Sequence, residues 1–185
     1  MRDLSLHLLD LVQNSITAGA SLVSVGLHAG GDGWLTLTIR DDGRGMDREL
    51  LERVMSPFAT TRTTRKVGLG IPMMKENAEK TGGSLVLESE EGKGTLLTVT
   101  MDTKHIDCLP VGDLSGTLLS LILTNPLHPD FLFEGSGAAG ECRFDTRDVR
   151  AVLGNDIPLN EPSVAEWLRE ALKEEIDPIF GGAMV

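Results

Sequence analysis

The first hundred residues alternate between helical and strand-like patterns of hydrophobic positions. In residues 3–18 the leucines recur at helical spacing, which predicts an amphipathic helix. Residues 22–28 and 34–40 alternate apolar and polar side chains with a period of two, as half-buried strands do, and a glycine-rich turn joins them into a predicted hairpin. The apolar stripe of the helix comprises Leu4, Leu8, Leu11 and Ser15, and its polar stripe comprises Asp3, His7, Asp10, Asn14 and Thr17.

The elements that follow extend this pattern into a layered fold. The sequence predicts a short helix at about 48–55 and a second helix that begins at Pro72 and runs to about Thr81. Two further strands are predicted at 84–90 and 95–101. Four mostly antiparallel strands with helices able to cover one face make an α+β fold, a two-layer sandwich.

Residues 102–185 form a second part with a different pattern. Its predicted elements are, in chain order, an apolar helix at 113–124, a hairpin from 131–134 and 141–145, a short helix at about 147–153 and a final helix. Ser163 and Glu166 have the spacing of a capping box that opens the final helix, whose apolar side would present Val164, Trp167, Ala171 and Leu172. We therefore divide the chain into residues 1–101 and a small C-terminal α+β region, 102–185, packed on it and of unknown role.

Charge is distributed unevenly between these two parts. The formal net charge is −11; residues 1–101 carry 11 basic and 13 acidic side chains, which leaves 6 basic and 15 acidic for residues 102–185. An acidic second part is not expected to bind nucleic acid. No apolar run has the length of a membrane span, no signal peptide precedes the first charged residues, and two cysteines are too few for a disulfide framework. We expect a cytoplasmic protein without a membrane partner.

Asp10 and Asn14 are the first candidate functional residues. Their spacing of four residues places both side chains on one face of the predicted first helix. A carboxylate with a carboxamide oxygen one turn away can hold a water molecule and Mg²⁺, which prefers oxygen ligands. A solvent-facing pair of polar residues is the alternative interpretation for this motif taken alone.

Two glycine-containing turns add candidate contacts for a nucleotide. Asp41-Asp42-Gly43-Arg44-Gly45 follows a predicted strand, where Asp41 could accept a hydrogen bond from an exocyclic amino group and the glycines would let backbone approach a flat ring. Val67-Gly68-Leu69-Gly70 directly precedes a helix, whose free N–H groups attract anions. Gly94-Thr95 opens the last strand of this part.

Together these motifs resemble those of the GHKL superfamily, the Bergerat-fold ATP-binding domain of sensor histidine kinases, MutL-type ATPases, gyrase-type topoisomerases and heat-shock chaperones. LLDLVQNSITAGAS resembles the N box, DDGRGM the first glycine box and MSPFATTR the phenylalanine box. The stretch from VGLGIPMMKENAEKTGG to LLTVTM is similar to the second glycine box and final strand. The resemblance covers residues 4–101, with four motifs in the family's order.

The resemblance implies a role for each matching residue. Asn14 would ligate Mg²⁺, Asp41 would bind the adenine amino group, and Thr95 would reach the adenine through water. Gly43, Gly45 and Met46 would shape the adenine pocket. Gly68, Leu69 and Gly70 would hinge an ATP lid at about 56–67 and present amides to the phosphates. Arg62, Arg65 and Lys66 in that lid would pair with phosphate charge, or serve only as solubilising loop residues.

Asp10 departs from the family pattern, because hydrolytic members usually place Glu there. The shorter aspartate can still polarise a water, so two outcomes stay open: slow hydrolysis of ATP, or transfer of its phosphate to a partner. Three functions follow as hypotheses: a Mg-ATP-binding regulatory protein that switches through its lid and contacts a protein partner with its C-terminal region; a kinase that phosphorylates His or Ser of a partner; and a scaffold with a degenerate pocket.

Overall fold

The computed structural model describes residues 3–55, 69–154 and 156–181. Its helices are α1 (Leu4–Thr17), α2 (Arg48–Val54), α3 (Gly70–Lys80), α4 (Leu114–Thr124), α5 (Thr146–Leu153) and α6 (Pro162–Phe180). Its strands are β1 (Leu22–Ala29), β2 (Trp34–Asp41), β3 (Ser84–Glu90), β4 (Gly94–Asp102), β5 (Asp130–Gly137) and β6 (Gly140–Asp145). Every element predicted from the hydrophobic pattern is present.

One sheet of six strands runs through the described residues in the order β3-β4-β2-β1-β5-β6. Neighbouring strands are antiparallel except β1 and β5, which are parallel. Strands from both parts of the chain therefore build a single sheet, and Val23 of β1 lies beside Phe131 of β5. The prediction of a mostly antiparallel α+β sandwich is confirmed, whereas the division of the chain at residue 101 stays a prediction.

The core of the sandwich is formed by apolar side chains at every second position of the strands. The buried strand residues point to one face, where α1, α3 and α6 pack on the sheet and α4 packs against α1 and α6. They include Val23, Val25, Leu27, Leu35, Leu37, Ile39, Leu97, Val99, Met101, Phe131 and Phe133. Threonines occupy many of the alternate positions on β2 and β4, and they remain partly exposed. Because a one-residue slip would turn the apolar set outward, this burial fixes the register of the sheet.

Helix α3 begins earlier than predicted. Its first residue is Gly70, two residues before Pro72, because Pro is tolerated anywhere in the first turn, where the N–H group has no partner within the helix. The helix therefore starts directly at the glycine motif.

Two expectations for α6 were wrong. Glu161 caps the helix by accepting hydrogen bonds from the amides of Ser163 and Val164, while Glu166 pairs with Arg169. Ser163 and Glu166 thus do not form a capping box. Trp167 is 52% exposed, because the buried residues of α6 recur at every fourth position from Val164 and Trp167 is not one of these positions. These buried residues are Val164, Leu168, Leu172, Ile176 and Phe180.

Within residues 3–55, 69–154 and 156–181, no helix combines the length and the apolar character needed to cross a membrane.

Candidate functional site

Asp41, at the end of β2, is the buried polar centre of the candidate site. Its side chain is 7% exposed, and Ser15 Oγ of α1 donates to its Oδ2 at 2.6 Å. The amide of Gly43 donates to its Oδ1 at 2.9 Å. Two donors from different elements therefore hold the carboxylate in one orientation, which is the condition for selective recognition of a ligand donor.

Asp42 serves a different purpose although it is adjacent in sequence. It is exposed and accepts hydrogen bonds from the amides of Ser21 and Leu22 at 2.7 and 2.9 Å, and from the Ser21 hydroxyl. Burial acts to raise the pKa of Asp42, but these hydrogen bonds outweigh it and lower the pKa below its usual value. Asp42 thus ties the start of β1 to the end of β2.

The glycines around Asp41 permit close backbone approaches. A Cβ on Gly43 would lie 3.0 Å from the Cβ of Ala18, at the end of α1. Gly45 has φ +66°, and a Cβ there would lie 2.0 Å from the carbonyl oxygen of Glu90. Gly94 has φ +101°, and its Cβ would lie 2.0 Å from the carbonyl oxygen of Asp41. The turn after β2 is therefore packed directly against the β3–β4 turn.

Met46 and Thr95 belong to this same contact. The Met46 amide donates to Ser89 Oγ at 2.9 Å, and Ser89 Oγ lies 2.9 Å from Thr95 Oγ1. Thr95 faces Asp41 in the β2–β4 pairing, and residues that face each other across two strands project on the same side of a sheet. The structure thus brings Gly43, Gly45, Met46 and Thr95 together around Asp41.

Asp10 and Asn14 lie on α1, beside the start of α3. Asp10 is half-buried and Asn14 is exposed. A Cβ on Gly70 would lie 2.1 Å from Asp10 Oδ2, so the carboxylate occupies the space that a larger residue at position 70 would need. An anionic side chain here is favoured by the positive end of the helix dipole.

The start of α3 is open to a second anion as well. Leu69, which precedes the helix, is 56% exposed and has no polar side-chain atom with which to cap the first-turn amides. The other lid residues named above (Arg62, Arg65, Lys66 and Gly68) lie outside the described part of the chain.

Sequence reasoning missed two polar residues near this site. Ser15 was assigned to an apolar stripe, but its hydroxyl binds Asp41. The sequence places His7 on the polar face of α1, either near the phosphates or without a chemical role. An exposed position is wrong, because the residue is fully buried and its Nε2 lies 3.1 Å from Asn77 Nδ2 of α3. Burial lowers the pKa of His7. Asn77 lies 70 positions away in the sequence, so the residues around His7 do not indicate this contact.

Known proteins resemble this chain in sequence and in fold. Residues 2–105 match the sequence family described as histidine kinase-, DNA gyrase B-, and HSP90-like ATPase. The sensor histidine kinase ZraS of Klebsiella oxytoca is 32% identical over 93 residues, which are 49% of this chain and 20% of that protein. The histidine protein kinase DivJ of Caulobacter vibrioides is 34% identical over 106 residues, or 54% of this chain and 18% of the kinase.

A solved structure supports the fold independently. The crystal structure of the N-terminal domain of a DNA repair protein matches with a TM-score of 0.50 and 15% identity, and the match covers 78% of this chain and 52% of that one. A match of this extent reaches past the residues of the family match, so the likeness of fold includes residues outside 2–105.

The six-stranded, mostly antiparallel sheet with helices packed on it is the architecture of a Bergerat-type fold. The chain belongs to the histidine kinase-, DNA gyrase B-, and HSP90-like ATPase family, and it contains an ATP-binding domain of the histidine kinase-like type. The resemblance inferred from its motifs is confirmed. The chain spans about one fifth of the length of these two kinases.

Proposed function

We propose that this chain is a Mg-ATP-binding regulatory protein whose nucleotide state is passed to a protein partner through residues 102–185. The buried carboxylate of Asp41, held by Ser15 and Gly43, is the observation that carries the proposal. Each carboxylate oxygen has two lone pairs, so Asp41 can accept a further hydrogen bond from an adenine amino group. Segment 56–67 would act as the ATP lid.

The polar groups at the start of α3 suit the phosphates. Amides in the first turn of α3 can donate to phosphate oxygens, as helix starts do elsewhere. Asp10, whose carboxylate lies beside Gly70, would polarise a water near the same point. Phosphate would then lie between α1 and α3, with adenine deeper against β2.

A magnesium ion would need oxygens from the nucleotide itself. Among the described residues, no group of three or more His, Cys, Asp or Glu side chains is placed to hold a metal. Asn14 offers an exposed carboxamide oxygen one turn from Asp10, and Mg²⁺ often uses one or two protein oxygens together with phosphates and water. The residues present therefore fit a nucleotide-bound magnesium, with Asn14 as its protein ligand.

Thermal unfolding tests this proposal. With Mg²⁺ present and ATP at about 100 times its Kd, we expect the Tm to rise by about 5–10 °C, because only the folded state binds. Asn14→Ala should bind ATP equally with and without Mg²⁺, since it lacks the proposed metal ligand. The matched control is Gln13→Ala, an exposed neighbour on α1 that should keep the magnesium dependence. A wild-type Tm unaffected by ATP would leave only the scaffold hypothesis.

A kinase that acts on a partner is the second candidate, because ZraS and DivJ are histidine kinases. Incubation with γ-labelled ATP and a cell lysate distinguishes the two functions. A labelled partner protein would favour the kinase, with an acid-labile label for phosphohistidine and an acid-stable label for phosphoserine. Label released only as inorganic phosphate would favour the ATPase.

Gly70→Ala should slow the release or transfer of the γ-phosphate without destabilising the fold. The new methyl group would displace the Asp10 carboxylate, whereas alanine is compatible with a helix. We expect the rate of phosphate release or transfer to fall about tenfold, which is less than the full contribution of an acid–base group, because Asp10 is displaced and not removed. The free energy of unfolding should change by less than about 1 kcal/mol.

The matched control for this variant is Gly116→Ala in α4. A Cβ on Gly116 would likewise meet a carboxylate oxygen, at 2.2 Å from Asp113 Oδ2, but on a helix away from the site. Its phosphate reaction should equal that of the wild type. Equal losses in both variants would contradict a specific role for the contact between Gly70 and Asp10.

A further inference from the structure

Helices α1 and α3 meet along a contact that we call the α1–α3 seam, formed by His7 and Asp10 of α1 with Gly70, Met74 and Asn77 of α3. Asp10 meets Gly70 at one end, and His7 meets Asn77 at the other. Residue numbers rise along α3 as they fall along α1, so the helices run antiparallel here. Met74, between the two polar contacts, is fully buried.

His7 is a costly residue for this position. Its ring is fully buried, and within the described part of the chain its Nδ1 has no hydrogen-bond partner. Burial lowers the pKa of His7 and so disfavours the charged ring. An apolar side chain would fill the seam without an unpaired polar atom. Packing alone therefore does not account for a histidine at position 7, and its bond to Asn77 is the feature that an apolar residue would lack.

We infer that His7 is a positioning residue: its hydrogen bond to Asn77 fixes α3 against α1 and thereby sets the distance between Asp10 and the first turn of α3, where the phosphates bind. This inference rests on the proposed nucleotide site. Between its two polar contacts the seam is apolar: Met74 packs by shape and is compatible with small shifts along the helix axis, whereas a hydrogen bond restricts the distance between its atoms to a few tenths of an ångström.

A shift of α3 at Asn77 would also shift the start of α3, where we propose that the phosphates bind. Asn77 lies two helical turns after Gly70, a distance of about 10 Å along a rigid helix. A displacement at Asn77 therefore moves the first-turn amides and Gly70 together. Asp41 ends β2, Gly43 and Gly45 lie in the turn that follows it, and Gly94 begins β4, so the proposed adenine pocket is built outside α3 and would not follow.

The test compares ATP with adenosine as ligands of His7→Leu. We expect ATP affinity to fall about tenfold, the loss typical of one buried hydrogen bond whose partner is left unpaired, and adenosine affinity to stay within about twofold. Asn77→Leu should give the same selective loss, and the double variant should add little. His7→Gln, whose terminal amide can still pair with Asn77, should recover most of the ATP affinity. A residue with a merely structural role would change both affinities alike.

Ile176→Val is the control, because it lowers stability in α6 and leaves the seam intact; its ratio of ATP to adenosine affinity should be that of the wild type. An unchanged ratio in both His7→Leu and Asn77→Leu would overturn the inference and leave the nucleotide site standing. A wild-type chain that binds neither ligand would refute the proposed function. Should His7→Leu fail to fold, the milder Asn77→Ser provides the same comparison.

Discussion

Asp41→Asn is expected to weaken ATP binding about a hundredfold. The amide would replace a charged acceptor with a group that has one acceptor and one donor, and it would face the Ser15 hydroxyl and the Gly43 amide as well as the adenine amino group. Hydrogen bonds to a charged group contribute about 1.5–3 kcal/mol, and a mismatched buried donor adds to the loss. The side chain keeps its shape, so the pocket should remain. Isothermal titration of both proteins with ATP measures the difference.

Asp42→Asn supplies the matched control, because the same atom is changed one residue away. Asp42 holds the amides of Ser21 and Leu22 at the edge of the sheet. We expect a small loss of unfolding free energy and an ATP affinity within about twofold of the wild type, since this carboxylate stabilises a turn. Equal losses of affinity in both variants would mean that Asp41 acts through the fold and does not contact adenine.

Much of this site could be predicted because its elements are defined locally. The spacing of the leucines in α1 and the alternation in β1 and β2 are properties of short segments, and they placed Asp10, Asn14 and Asp41 on the correct elements. The motif order then identified the family, which the match over residues 2–105 confirmed. The metal and phosphate roles of these residues remain predictions.

The remaining features depend on contacts between distant segments. The parallel pairing of β1 with β5 joins residues about a hundred positions apart, and nothing in either strand encodes its neighbour. Ser15 and His7 were misjudged for the same reason: their partners, Asp41 and Asn77, lie on other elements. The spacing of residues along a helix does not show which distant residue a polar side chain will contact, so it assigned Ser15 no role and placed His7 toward solvent.

Gly45→Ala is expected to destabilise the protein by at least about 3 kcal/mol, since two independent costs coincide. The backbone at position 45 has φ +66°, which is unfavourable for alanine by about 1–2 kcal/mol. The methyl group would also lie 2.0 Å from the carbonyl oxygen of Glu90, a backbone atom that cannot rotate away. The turn after β2 would have to separate from the β3–β4 turn, which moves Asp41 and Thr95 apart. Urea unfolding of the purified variant measures the loss.

Gly92→Ala separates the two costs. Gly92 has a similar φ of +79° in the neighbouring turn, but a Cβ there has nothing within 4 Å. It should therefore show only the conformational cost, about 1–2 kcal/mol, and bind ATP normally. The two glycines have similar φ angles, but only Gly45 has a neighbouring backbone atom where a Cβ would lie. The additional loss of stability in Gly45→Ala therefore measures the steric cost of the contact with Glu90. If both variants lose the same stability, the contact between Gly45 and Glu90 does not hold the two turns of the proposed adenine pocket together.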